Sequence, residues 1–94
     1  MTREELAPLL SQAAQRLRQA GAREVYVFGS AATGRFTEHS DVDLAVSGLP
    51  PAIFYQLLSE VTDIIGRSVD LIDLDERTLF SEFLRTEGKL KRVA

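Results

Sequence analysis

Apolar positions along the chain switch repeatedly between a helical and an alternating period. Leu6, Leu9, Leu10, Ala13 and Leu17 recur at helical spacing. Thr2 and Glu5 have the spacing of a capping box, which predicts a helix from Thr2 to Ala20, stopped by Gly21. Pro8 sits past the first turn of such a helix and removes a backbone donor there; the alternative is a regular helix that begins at Pro8. The segment "EVYVF", Glu24 to Phe28, is β-branched and aromatic and predicts a strand. "GSAATG" follows as a turn able to open a short helix. "DVDLAVSG" predicts a second strand, with Val42, Leu44 and Val46 on one face and Asp41, Asp43 and Ala45 on the other. Pro50 and Pro51 break the chain and start a helix whose stripe, Ile53 to Ile65, ends at Gly66. "SVDLIDL", Ser68 to Leu74, predicts a third strand. Asp73 is expected in a turn, and Asp75 is expected to cap a last helix that carries Leu79, Phe80, Phe83 and Leu84 and closes at Gly88. The order α-β-(short α)-β-α-β-α interleaves the two element types. It predicts an α/β (α+β) fold: a small sheet with helices packed on it.

Composition narrows the class. The 94 residues are expected to form one domain, residues 1–94. A domain of this size buries only about 60–65% of its unfolded surface, so a partner would help it. The net charge of -3 does not suit a general polyanion binder, and nucleic acid is an unfavoured partner. Lys89, Lys91 and Arg92 make a basic end, expected to be a solvated tail. There is no cysteine and only one histidine, His39, so disulfides and thiol metal sites are excluded and a structural zinc site is disfavoured. "MTREELAPLL" lacks the basic-then-apolar order of a signal peptide, and no apolar run approaches the ~20 residues of a membrane span. A cytoplasmic location, with no membrane contact, is the expectation.

The chemistry lies in the aspartates. Asp is depleted in strands because it packs badly and costs desolvation, yet Asp41, Asp43 and Asp70 all fall in predicted strands. Asp41 and Asp43, two residues apart, project the same way. If the third strand pairs beside the second, Asp70 joins them. Three close carboxylates repel one another, and a divalent cation removes the conflict. Oxygen-only ligands select a hard ion, Mg²⁺ or Mn²⁺, and a site with room for two suits in-line phosphoryl or nucleotidyl transfer. Gly29 lets a phosphate approach the backbone, and Ser30 adds a hydroxyl at the start of a short helix. Cradle and carboxylates together imply a nucleoside triphosphate with its metal. Taken singly, a Gly-Ser is a turn, an Asp-x-Asp a surface pair or cap, and Asp70 an exposed strand residue; the combination is what informs. His39 is expected to be a solvated loop residue, and Ser40 to orient the strand entry at Asp41. Tyr26 and Tyr55 are expected to be half-buried packing residues.

"FGSAATGRFTEHSDVDLAV" followed by "SVDLIDL" resembles the signature of the nucleotidyltransferase superfamily that includes DNA polymerase beta and kanamycin nucleotidyltransferase: Gly-Ser, about ten residues, Asp-x-Asp, then a third carboxylate on a later strand. The short length makes it most similar to the minimal nucleotidyltransferases, or MNT proteins, encoded beside HEPN proteins in prokaryotes, and "FLRTEGKL" is similar to their helix-then-Gly close. The resemblance covers nearly the whole chain. It implies a small mixed β-sheet flanked by helices. It also implies that Gly29 and Ser30 hold the triphosphate of ATP, that Asp41 and Asp43 ligate the metal ions, and that Asp70 completes the second metal site and helps activate the attacking hydroxyl. The reaction implied is transfer of AMP to a hydroxyl. In MNT proteins paired with HEPN toxins the acceptor is a toxin tyrosine, so the MNT protein is the antitoxin. The motif often reads Gly-Ser-x-Ala-Arg-Gly; Thr33 stands here in place of the arginine, with Arg35 a candidate substitute. No second domain is expected to hold the base or the acceptor.

Three functions follow as alternatives: a Mg²⁺-dependent adenylyltransferase acting on a HEPN-type toxin, an antitoxin that neutralises by occlusion with a weak nucleotide site, and nucleotide transfer to RNA or a small molecule. Intact Asp41, Asp43 and Asp70 favour the first, because buried carboxylates without a cation are costly. Thr33 leans toward the second.

Overall fold

The computed structural model describes residues 3–33, 37 and 40–94. The elements are α1 (Arg3–Gln19), β1 (Glu24–Phe28), α2 (Ser30–Thr33), β2 (Val42–Ser47), α3 (Phe54–Ile65, entered through a 3₁₀ turn at Pro51–Ile53), β3 (Val69–Asp73), α4 (Leu79–Glu87) and β4 (Lys91–Arg92). Pro8 lies inside α1, so the helix does not wait for it. The capping Thr2 lies outside the described residues. Gly66 ends α3 with φ 79°, the left-handed geometry that glycine adopts without a Cβ penalty. No helix is long and apolar enough to cross a membrane, among the described residues.

The four strands form one mixed sheet in the order β3-β2-β1-β4. β1 pairs antiparallel with both β2 and β4, and β2 pairs parallel with β3. That parallel pair needs a crossover, which α3 supplies. α1 and α3 cover one face. Leu6, Ala13 and Leu17 of α1 and Leu57, Val61 and Ile65 of α3 close over Val25, Val27, Val42, Leu44, Val46 and Leu71. Each of the Leu, Ile and Val side chains contributes about 1.5–3 kcal/mol when fully buried. Arg16 ties the two helices together with a two-pronged bond to Glu60, at 2.9 and 3.2 Å. The other face carries a smaller cluster, in which Leu84 of α4 packs with Phe28, Ala45 and Leu74. Asp43 of β2 and Asp70 of β3 share this second face, because they alternate with residues of the main core.

Three expectations are corrected. The basic end is not a free tail: Lys91 and Arg92 pair with Val27 and Tyr26, and Val93 and Ala94 pack against the main core. Asp75 does not cap α4. Thr78 does, in a capping box with Ser81, while Asp75 reaches back to the end of β2. Tyr55 is 80% exposed rather than half-buried, because it stands off the stripe that faces the sheet.

Candidate active site

β1 ends at Phe28, and Gly29 turns the chain into α2 with φ 68°. The Gly29 carbonyl accepts from the N–H groups of Ala32 and Thr33 at 3.1 and 3.2 Å, which closes the turn. A Cβ at Gly29 would collide with the Asp43 carboxylate. Glycine is therefore required twice here, for its backbone conformation and for the space. Ser30 is the first residue of α2, and Thr33 turns its hydroxyl toward the Ser30 carbonyl at 3.5 Å.

Asp43 stands in the centre of a row across three strands. It is the antiparallel partner of Phe28 on β1 and the parallel partner of Asp70 on β3. Phe80 of α4 meets Phe28 edge-on at 6.2 Å and brings apolar surface to this flank. Burial, first, then the charge of Asp70, a hydrogen bond donated by the protonated Asp43 to Asp70, and the charge of Asp41 push the Asp43 carboxyl up from 3.8 to about 6. Asp41 and Asp70 themselves are exposed.

The predicted site residues are thus brought together unequally. Gly29, Asp43 and Asp70 meet. Asp41 lies one residue before the first paired position of β2, near enough to act on Asp43. Among the described residues no group of three or more His, Cys, Asp or Glu side chains takes up a metal-holding arrangement. Ser40 Oγ accepts from the Thr37 N–H at 3.0 Å, just ahead of Asp41. His39 and Arg35 lie outside the described residues.

The donor chemistry of the Asp43–Asp70 pair fits a divalent hard cation. Its oxygens share a proton when protonated, repel when both are charged, and sit beside a glycine cradle that a side chain would fill. Sequence reasoning brought Asp70 to Asp43 on the condition that β3 pairs beside β2, which it does, and missed the Phe28–Phe80 contact, since nothing local in the chain specifies it.

The family model of the polymerase beta nucleotidyltransferases matches residues 12–90. Among solved structures, the chain is similar to a minimal nucleotidyltransferase, with TM-score 0.78 and 26% identity over 94% of each chain. A toxin-antitoxin complex with AMP-PNP matches at TM-score 0.69 and 25% identity, over 85% of this chain and 70% of that one. The complex of tri-AMPylated Shewanella oneidensis HEPN toxin with MNT antitoxin matches in fold, at TM-score 0.61 and 23% identity, over 89% and 70% of the two chains. A search of curated proteins finds no match. With a match that runs from inside α1 to just before β4 and takes in the glycine turn and all three aspartates, the chain belongs to the polymerase beta nucleotidyltransferase family.

Proposed function

We propose that the protein is an adenylyltransferase that moves AMP from ATP to a hydroxyl, a tyrosine of a HEPN-type toxin, and thereby acts as its antitoxin. The observation that carries this reading is the in-register Asp43–Asp70 pair set against Gly29, whose missing Cβ leaves room for that carboxylate. The solved complexes of related fold supply the partner class: a HEPN toxin carrying AMP, held by an MNT antitoxin.

Each residue has a role in the reaction. Gly29 and Ser30 hold the triphosphate through backbone and hydroxyl. Asp41, Asp43 and Asp70 would hold Mg²⁺ or Mn²⁺, which supplies charge neutralisation on the transferring phosphate and its leaving group. The acceptor oxygen attacks the α-phosphorus, an O–P bond forms, the bond to the β-phosphate oxygen breaks, and pyrophosphate leaves. Asp70, on the outer strand, takes the hydroxyl proton and passes it to water.

The second reading, neutralisation by occlusion, has one observation in its favour: neutral Thr33 stands where the motif often has arginine, and its hydroxyl faces the Ser30 carbonyl. The deciding experiment mixes the protein with Mg²⁺, α-labelled ATP and the product of the adjacent gene. Label on that product, lost in the Asp41→Ala/Asp43→Ala variant, establishes transfer. Tight binding without label establishes occlusion.

A further inference from the structure

β3 is an edge strand: β2 is its only strand neighbour among the described residues. The Ser68 carbonyl accepts from Val42 N–H at 3.0 Å, and Leu74 N–H donates to the Val46 carbonyl at 2.8 Å. Backbone groups alternate sides along a strand, so Asp70 and Ile72 also bond toward β2. The N–H groups of Val69, Leu71 and Asp73 and the C=O groups of Val69 and Leu71 point out of the sheet, while the Asp73 C=O accepts from Glu76 N–H at 3.2 Å. A groove of about 470 Å³ touches every residue of β3 from Val69 to Asp73. Phe54 and Tyr55, edge-on at 5.5 Å, wall it on the α3 side, and Phe80 and Glu76 wall it on the other. Tyr55 and Phe80 leave 80% and 47% of their surface open.

The groove holds Asp70, and its position fits the direction of the reaction. The triphosphate cradle is at the end of β1, and Asp70 is two strand spacings away, roughly 10 Å. In-line displacement brings the attacking oxygen in opposite the leaving pyrophosphate. With the pyrophosphate held at Gly29 and Ser30, the attacker arrives from the β3 side, along the open edge. Asp70, Asp73 and Glu76 make the lining acidic, and no lining residue is basic. Aromatic walls suit an aromatic ring with a polar tip.

We propose that the acceptor protein docks by adding an extended segment to the free edge of β3, which sets a tyrosine hydroxyl against Asp70 and flanking Lys or Arg side chains against Asp73 and Glu76. This rests on the transferase reading above and names how its substrate is held. The edge matches about five residues of extended chain, roughly 16 Å. Main-chain bonds to Val69, Leu71 and Asp73 supply affinity, and the aromatic walls supply selection, the division of labour of strand addition.

The test is amide NMR of the protein with Mg²⁺ and a non-hydrolysable ATP analogue, titrated to millimolar with acetyl-Lys-Val-Tyr-Val-Lys-amide. The Val69, Leu71 and Asp73 amides should shift saturably and exchange about tenfold more slowly, as an edge occupied nine-tenths of the time requires. Asp70 and Ile72, already bonded to β2, should keep their exchange rates. A peptide N-methylated at alternate residues should bind at least several-fold more weakly, and so should the unmodified peptide to Tyr55→Arg, a substitution at an exposed position that adds charge and bulk to the wall. Absence of saturable shifts at the three outward amides, or equal binding of the N-methylated peptide, overturns the proposal. With ATP in place of the analogue, edge protection while the peptide gains no AMP by mass leaves the docking site standing and removes the transferase reading; AMP on the peptide without edge protection does the reverse.

Discussion

Asp43 is the residue whose environment and proposed role pull hardest against each other. Its carboxyl lies at about 6 in the folded chain against 3.8 ordinarily, first through burial and then through Asp70. A folded value above the unfolded one means that the native state binds the extra proton between those limits, so this group's contribution to stability falls as pH rises from 3.8 to about 6 and stays unfavourable above. In EDTA, Asp43→Asn should therefore melt higher than the parent at pH 7.5, with the gap closing toward pH 4; thermal melts across that range check it. Mg²⁺ should raise the melting point of the parent at pH 7.5 and leave Asp43→Asn unmoved, and its affinity should weaken as the proton competes below about pH 6. Equal melts in EDTA at every pH would remove the electrostatic account of the pair. The strand placement of Asp43 was legible in the chain, since i and i+2 share a face. Its meeting with Asp70 was legible only on the condition that β3 pairs beside β2, and the pairing itself, across the α3 crossover, is what the structure adds.

At the scale of elements, the three predicted strands and the helices, down to the short α2, were readable, and β4 was not. α1, α3 and β1 follow from stripes and from Gly21 and Gly66. β4 escaped because two charged residues on an edge strand carry no apolar alternation, and its pairing is imposed by β1. Asp75 misled for a similar reason: an Asp ahead of an apolar run reads as a cap, but its partners lie far away in sequence. Its oxygens accept from Gly48 N–H at 2.6 Å and Ser47 Oγ at 3.1 Å, with Arg85 at 3.5 Å, so it fastens the end of β2 to the turn before α4. The Gly48 bond, above all, holds its carboxyl below the usual range. Thr78→Ala should cost about 1 kcal/mol, the usual value of a lost helix cap, lowering the melting point about 4–8 °C in a domain of this size. Asp75→Ala should cost about 1–2 kcal/mol at neutral pH, as charged hydrogen bonds do. Because its folded value is depressed, the charge-dependent part of that cost is full above 3.8 and is lost as pH falls through the lower folded value, whereas the Thr78→Ala cost is independent of pH. Denaturant melts of both variants at pH 7 and pH 3 separate the two.

For the whole molecule, the site occupies one end of the second sheet face, and the large apolar side chains left open among the described residues are Tyr55, Leu79, Phe80 and Phe83. The proposed transfer site and docking groove share Asp70 and otherwise consist of different residues, so chemistry and binding are separable by mutations away from Asp70. Asp41→Ala/Asp43→Ala removes two charges from a row whose repulsion already burdens the native state, so the variant should fold, and at neutral pH should be no less stable without metal than the parent. It keeps β3, Tyr55 and Phe80 intact, so a partner should still bind within a few-fold of the parent affinity. Under the transferase reading it should fail to rescue cells that express the adjacent gene product, and that product should gain no AMP by mass. Under occlusion it should rescue as well as the parent. Tyr55→Arg makes the complementary case: its aspartates and glycine cradle are untouched, so a lost rescue would have to come from weakened docking, and excess enzyme should restore it. Rescue by the double-aspartate variant at parent levels would leave the carboxylate pair without a part in neutralisation, whatever nucleotide it binds.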